Sequence, residues 1–187
     1  MKTRKFLIIL ALIIPVFVYQ LGCSKGEDTS GNSGAGKVVA DQELRKFNIV
    51  QTTDGSKQWE MDAQEAQIYK ETKSVDAKDL YVTFFEEGKK SSILTAQKGK
   101  LNTDSGDIEV EGNVVVNSLV QNTTIETEKL FYIAKDEKIV SNEFVKQTRE
   151  DSIITGYGLE TDPGLRKVQI KRDVKAEVIE KDNQEVK

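Results

Sequence analysis

Residues 108–116 read Ile-Glu-Val-Glu-Gly-Asn-Val-Val-Val, and this stretch decides the fold class. Apolar residues or glycine occupy every second position, and two glutamates and an asparagine stand between them. Because a β-strand repeats every two residues, the alternation places the apolar side chains on one face and the polar ones on the other. One buried face and one solvated face are typical of an antiparallel sheet, so the stretch predicts a strand in such a sheet.

Three further stretches alternate in the same way, at residues 59–63, 80–84 and 168–178. Short runs rich in Gly, Asp, Ser and Pro separate the alternating stretches, and these residues supply the backbone angles of tight turns. The turn signals stand at residues 54–56, 87–89, 104–106 and 162–164. Alternation between turn signals, without a long stretch of helical period, predicts an all-β protein.

A repeat of about 30 residues underlies these strands. Its four anchors are Ala66, Gly99, Leu130 and Leu159, spaced by 33, 31 and 29 residues. Five columns of similar residues stand at fixed distances from the anchors: five and three before, then two, nine and fifteen after. In that order they are Met61, Leu94, Ile125 and Ile154; Ala63, Ala96, Thr127 and Gly156; Ile68, Leu101, Tyr132 and Thr161; Val75, Ile108, Ile139 and Val168; and Tyr81, Val114, Val145 and Val174.

The repeat predicts how the strands are arranged. The step of three residues before each anchor is odd, so it reverses the face on which the side chains lie. A bulge or corner at that step lets a strand pass from one sheet to a facing one. About four such repeats predict two facing antiparallel sheets that grow along one axis; the alternative is a chance alignment of apolar positions.

The composition excludes several classes of function. The chain of 187 residues has no histidine and one cysteine. This excludes Ser-His-Asp and Cys-His catalysis, histidine-based metal sites, internal disulfides and cysteine-rich zinc sites. No pair of carboxylates has a spacing that suggests acid–base catalysis. We therefore expect no enzymatic activity, no metal and no cofactor.

Residues 1–23 have the layout of an export signal. A start with three basic residues precedes the uncharged apolar run 6–19 and then Leu21-Gly22-Cys23. This ending resembles that of a bacterial lipoprotein signal, whose cysteine, here Cys23, is lipidated. The alternative is an uncleaved span, which needs about 20 apolar residues, against 17 positions from Phe6 to Gly22. Either alternative tethers the rest of the chain to a membrane outside the cytoplasm.

The remaining chain divides by composition. Residues 24–40 form a flexible linker rich in glycine and serine, residues 41–179 form the folded body, and residues 180–187 form a polar tail. Without the three basic residues of the signal, 24 of the 27 bases remain against 31 acids, a net charge of −7. A net acidic body predicts no nucleic-acid partner.

Six short stretches stand in a characteristic order. They are Trp59-x-Met61-x-Ala63-x-x-Ala66, Leu80-x-Val82-x-Phe84-Phe85, Leu94-x-Ala96-x-x-Gly99, Gly112-Asn113-Val114, Leu130-x-Tyr132 with Ile139-x-Ser141, and Ile154-x-Gly156-x-Gly158-Leu159-x-x-Asp162. In this order and spacing they resemble the periplasmic lipopolysaccharide-transport protein C family (LptC), which is related to the LptA/OstA-like jellyroll proteins. The resemblance covers the anchor and nearly all of residues 45–179, and implies an open, twisted, antiparallel β-jellyroll.

The resemblance also implies a function. In that family the jellyroll accepts lipopolysaccharide from an inner-membrane ABC transporter (LptB/F/G-like) and passes it to LptA. Members of that family are anchored at the periplasmic face of the inner membrane, and they are neither enzymes nor dependent on a cofactor; the resemblance implies the same for this chain. Acyl chains lie in an apolar groove, for which we expect these residues: Met61, Leu94, Leu101, Ile108, Val110, Val114, Ile125, Leu130, Tyr132, Ile139 and Val145. A closed, dry core would use the same residues, and the sequence leaves both open.

The two edges of an open sheet expose unpaired N–H and C=O groups, which a bridge component can use to pair with other jellyrolls. The LptA-side edge is expected at Val168, Ile170, Val174, Ala176 and Val178, in a regular stretch without proline. The basic residues of this stretch are equally typical of an edge protected against pairing. The transporter-side edge is expected at Phe47, Ile49 and Trp59.

Two other functions fit the sequence. One is a soluble-type, LptA-like bridge protein, against which the N-terminal anchor argues. The other is a structural or assembly lipoprotein of the outer membrane. Ser24 follows Cys23, and enterobacterial sorting sends a lipoprotein with serine at this position to the outer membrane.

Overall fold

The computed structural model describes residues 39–179. They form one sheet of nine antiparallel strands, whose order in the sheet follows the chain. The strands are β1 (Gln42–Thr53), β2 (Ser56–Tyr69), β3 (Ser74–Glu86), β4 (Lys89–Asn102), β5 (Ile108–Ser118), β6 (Thr124–Ile133), β7 (Lys138–Thr148), β8 (Ser152–Thr161) and β9 (Gln169–Val178). A short 3-10 turn, Ala134–Asp136, joins β6 to β7. The prediction of an all-β antiparallel fold is confirmed.

Several predictions fall on residues that lie outside the described part. These are the anchor 1–23 with its lipidation site Cys23, most of the linker 24–40, and the tail 180–187. Among residues 39–179, no helix is long and apolar enough to cross a membrane.

The strands form where the sequence alternates. In β5, Ile108, Val110, Val114 and Val116 are buried, and the acids between them face outward. Gly112 and Asn113 lie between Val110 and Val114, and both have a positive φ. With them in the chain, the two buried valines stand an even number of residues apart. These two residues form a bulge, at which the register between β5 and β6 shifts.

Such irregularities gather midway along the strands and divide the sheet into two halves. Lys46, Asp79, Asn113 and Asp173 have left-handed backbone in the interiors of β1, β3, β5 and β9. Register shifts also lie midway along every strand pair from β4–β5 to β8–β9. We call the half that contains Trp59 half-sheet 1 and the half that contains Ala66 half-sheet 2.

The two half-sheets face each other. Phe84, in half-sheet 1, packs against Tyr132, in half-sheet 2, with ring centroids 4.9 Å apart. Ser118 Oγ, in half-sheet 1, donates a hydrogen bond of 2.7 Å to the carbonyl oxygen of Gly164, which lies in the loop after β8 at the end of half-sheet 2. The two facing sheets of the prediction, between which the strands pass, are thus the two facing halves of one nine-stranded sheet.

The structure also shows where the predicted repeat lies. Its anchors Ala66, Gly99, Leu130 and Leu159 fall on β2, β4, β6 and β8, so β1 stands outside the four units. Register shifts coincide with the odd step in β4, β6 and β8, whereas β2 pairs in continuous register on both sides of that step. The column fifteen after the anchors is buried at Val114 and Val145 but exposed in the first and last units.

Candidate functional site

The eleven residues predicted to line a groove come together between the half-sheets. Each is at most 4% exposed, and they belong to a single hydrophobic core. The interior is therefore packed shut along these side chains. A lipid acyl chain can reach them only if the half-sheets part or a covering segment moves.

The alternating pattern also contained interior residues that the prediction left out. Val82, Phe84 and Val116 are at most 1% exposed and lie in the same alternating runs as predicted residues. Leu165 is fully buried as well, but it lies in the loop between β8 and β9. No periodicity extends into that loop, so no signal in the sequence indicated Leu165.

One row of inward-facing residues crosses all nine strands of half-sheet 1. Each member pairs in register with the next, so the row runs from one edge of the sheet to the other. Its members, in order, are Ile49, Met61, Val82, Leu94, Val116, Ile125, Gln147, Ile154 and Ala176. We call this set the transverse row. It joins Ile49 and Ala176, predicted for the two edges, through interior residues, of which Met61, Leu94 and Ile125 were predicted for the groove.

Gln147 is the one polar member of the transverse row. It is 3% exposed, and such burial is costly for an amide without hydrogen-bond partners. In the amide orientation that satisfies its bonding, the Gln147 side-chain oxygen accepts hydrogen bonds from Arg149 Nε at 2.8 Å and Nη2 at 3.0 Å. The exposed guanidinium thus compensates the burial of the amide.

The inner face becomes exposed at β9, which pairs with β8 alone within residues 39–179. Val174 is 54% exposed, Val178 is 79% exposed, and Ala176 at the end of the transverse row is exposed too. The other predicted residues of this edge, Val168 and Ile170, are half-buried and pack against the core. The β9 edge therefore presents unpaired backbone and the open end of the apolar interior together.

The opposite edge is β1. Phe47 and Ile49 lie on it, are half-buried, and pack against the core. Trp59, predicted for this edge, lies one strand further in, on β2, where it is 1% exposed. Trp59 therefore belongs to the interior, because β1 covers the β2 side on which an edge would otherwise lie.

The electrostatics of the interior are those of an apolar site. Burial, with smaller contributions from the nearby Glu137 and Asp107 carboxylates, raises the pKa of Tyr132 to about 12. The phenol is therefore neutral at physiological pH. Ion pairs between neighbouring strands lie on the outer face of the sheet; Lys78 Nζ and Glu65 Oε2, 2.8 Å apart, are an example. Within residues 39–179, no group of three or more His, Cys, Asp or Glu side chains could hold a metal ion.

Comparison with known proteins gives two similarities. A family model described as "Lipopolysaccharide-assembly, LptC-related" matches residues 7–180. Among solved structures, the chain is similar to LptH of Pseudomonas aeruginosa, described as the LptA homologous periplasmic component of a lipopolysaccharide transport device. The TM-score is 0.53 at 14% identity, over 66% of this chain and 94% of LptH, which shows a shared fold. No curated protein matches the chain.

Proposed function

The chain belongs to the LptC-related family of lipopolysaccharide-assembly proteins, and on that premise we propose that it is a non-catalytic transfer component for lipopolysaccharide. It accepts lipopolysaccharide from an inner-membrane ABC transporter and passes it to an LptA-like bridge protein. The N-terminal segment holds it at the periplasmic face of the inner membrane, either through a lipidated Cys23 or as a span.

The transverse row is the observation that carries this proposal. Eight of its nine members are apolar, and the row reaches from Ile49 on β1 to Ala176 on β9. A core that served only to stabilise the fold would be covered at the edges of the sheet. At the β9 edge, however, Val174, Ala176 and Val178 leave the inner face exposed. A path for acyl chains needs such an apolar surface that continues to the boundary of the molecule.

The edges supply the second part of the proposal. A strand edge binds a partner by continuing the sheet, and in the part of the chain that the structure describes both β1 and β9 have one side unpaired. We assign β9 to the LptA-like partner, because the apolar inner face is exposed at that edge and would continue into the next jellyroll. We assign β1 to the transporter, since the membrane anchor precedes it in the chain.

A photo-crosslinking pair tests the acyl path. Tyr132 lies in the interior and is 4% exposed, whereas Tyr81 lies on the outer face and is 41% exposed. Each is replaced by an aromatic photo-crosslinker in the full chain, in membranes that contain the transporter. We expect ATP-dependent labelling of lipopolysaccharide from position 132 and none from position 81. Labelling from position 81 alone would show that the lipid does not pass through the interior.

A second candidate is an LptA-like bridge protein, which the fold shared with LptH supports. The two candidates differ in how the mature chain is attached. Fractionation of cells that produce the full chain decides between them: recovery with inner membranes supports the transfer component, and recovery in the periplasmic fluid supports the bridge protein.

A further inference from the structure

The loop between β8 and β9 leaves half-sheet 2, contacts half-sheet 1 and returns. It contains residues 162–168 and is the longest connection between strands in the described part of the chain. It starts and ends in half-sheet 2, but the carbonyl of Gly164 accepts a hydrogen bond from Ser118 in half-sheet 1. Arg166 Nη2 lies 2.6 Å from Glu86 Oε2, at the end of β3 in half-sheet 1. The loop thus ties together the turn ends of the two half-sheets.

The loop also fills the interior. Leu165 is fully buried among the core residues, although Arg166 and Lys167 directly after it are exposed. Gly164 lets the loop approach Glu86 closely, because a Cβ there would stand 3.0 Å from Glu86 Oε1. Leu165 therefore acts as an apolar plug, and the contacts of Gly164 and Arg166 hold it in place.

The loop has its own internal structure. The Asp162 carboxylate accepts hydrogen bonds from the backbone N–H of Lys167 at 2.9 Å and of Arg166 at 3.3 Å. The Asp162 carbonyl accepts one from the N–H of Leu165 at 3.0 Å. Because these bonds lie within the loop, it can swing away from the core without losing them.

One feature disfavours the closed position. Ser91 Oγ and Ser92 Oγ are buried without a hydrogen-bond partner in the described part of the chain, and Ser92 pairs in register with Ser118, which holds the loop. Outward movement of the loop would admit water to these hydroxyls.

The loop covers the long side of the interior at which a lipid can enter between the two half-sheets. The bend closes one long side of the interior, because every strand is covalently continuous there. The opposite long side is held only by contacts between turn ends. A chain that enters there leaves its polar headgroup in water, whereas the interior accepts the acyl part.

We propose that the long side of the interior opposite the bend, beneath residues 162–168, is a lateral entry portal for an acyl chain. The loop 162–168 is its gate. Leu165 is the plug of this gate, and the Glu86–Arg166 ion pair is its latch. The inference rests on the proposed function, since it names where the transported lipid enters. An acyl chain takes the place of Leu165 when the loop swings out.

A reversible lock tests the gate. Glu86→Cys and Gly164→Cys are combined in the full chain and bridged by a short bis-methanethiosulfonate reagent, which a reductant removes. The readout is labelling of lipopolysaccharide by the photo-crosslinker at Tyr132. We expect bridging to lower the yield about tenfold and reductant to restore it. A control pair, Thr95→Cys with Val115→Cys, staples the neighbouring strands β4 and β5 and is expected to leave the yield unchanged.

The outcomes separate the two ideas. Equal labelling with and without the bridge overturns the gate, while the proposed function stands. No labelling from Tyr132 even in the unbridged protein overturns the proposed function, and the gate falls with it.

A milder variant checks the latch without a crosslink. Arg166→Gln removes the exposed half of the ion pair, and we expect the initial rate of Tyr132 labelling to rise about threefold, which is the scale of one partly exposed ion pair. Lys167→Gln changes the neighbouring cation, which forms no ion pair with any residue between 39 and 179, and should leave the rate unchanged. Equal rates in the two variants would overturn the latch.

Discussion

Gly156 on β8 is the residue at which a single methyl group should detach the β9 edge. A Cβ at this position would stand 2.6 Å from the carbonyl oxygen of Arg172 and 2.6 Å from Ile170 Cγ2. The Ile170 methyl can rotate away, but the Arg172 oxygen is backbone. In Gly156→Ala, therefore, the β9 backbone itself has to move.

The size of the effect follows from these distances. An ordinary contact between carbon and a carbonyl oxygen is about 3.3 Å, so β9 must shift by about 0.7 Å. Overpacking of this kind costs about 1–3 kcal/mol. Since β9 pairs with β8 alone, we expect the strain to be released by loosening of β9 rather than by unfolding of the whole sheet.

Hydrogen exchange measures this loosening strand by strand. A local loss of about 1–3 kcal/mol corresponds to exchange about 5- to 150-fold faster for the amides of β9, with β2 to β5 unchanged. Binding of the LptA-like partner should weaken in parallel, because the proposed docking edge is no longer held in place. In the control Gly99→Ala, the new Cβ stands 3.0 Å from Leu80 Cδ2, a movable side-chain end, and we expect a change below about 1 kcal/mol.

Two results would refute this reasoning. Wild-type protection of β9 in Gly156→Ala would show that the close approach is not limiting. An equal loss of protection in β2 and β9 would show that the edge is not an independent unit.

Two further predictions concern the interior. Met61→Ala should lower the free energy of unfolding by about 2–5 kcal/mol in urea titrations, because Met61 is fully buried. Asp62→Ala on the outer face of the same strand should change it by less than about 0.5 kcal/mol, and similar losses in the two variants would contradict the assigned faces. The raised pKa of Tyr132 means that the folded protein retains a proton which the unfolded chain loses above pH 10.0, so stability falls as the pH rises from there to about 12, by up to about 2–3 kcal/mol. Tyr132→Phe should remove this part of the fall in denaturation measured across that range, and identical pH slopes in the two proteins would contradict it.

The strands and the inner face were predictable from local pattern. Alternation at Trp59, Met61 and Ala63, and again at Ile108 and Val110, placed these residues in strands with one buried face. The period of a strand is set by backbone geometry within a few residues, so it is legible without knowledge of the rest of the chain. The resemblance to the LptC family had the same origin, since it depended on the order of these alternating stretches.

The edges were only partly predictable. The sequence predicts a strand at residues 168–178, and this strand lies at an edge of the sheet. Trp59 was wrongly placed at the other edge, because an alternating stretch does not show how many strands lie beyond it. Residues 42–53 supply the missing strand, and their weaker alternation, with three charged residues, gives little signal.

By itself, the sequence determined an all-β antiparallel chain with an apolar face, turn positions between its strands and no residues for histidine or disulfide chemistry. The tertiary structure alone decided that one continuous sheet folds on itself, that the transverse row runs from Ile49 to Ala176, and that Leu165 closes the interior. The reason is physical. Alternation is a local property of the backbone, whereas the bend depends on left-handed residues such as Asp79 and Asp173, and the closure depends on contacts such as Ser118 with Gly164, 46 residues apart. Such contacts form only once every strand has found its neighbour.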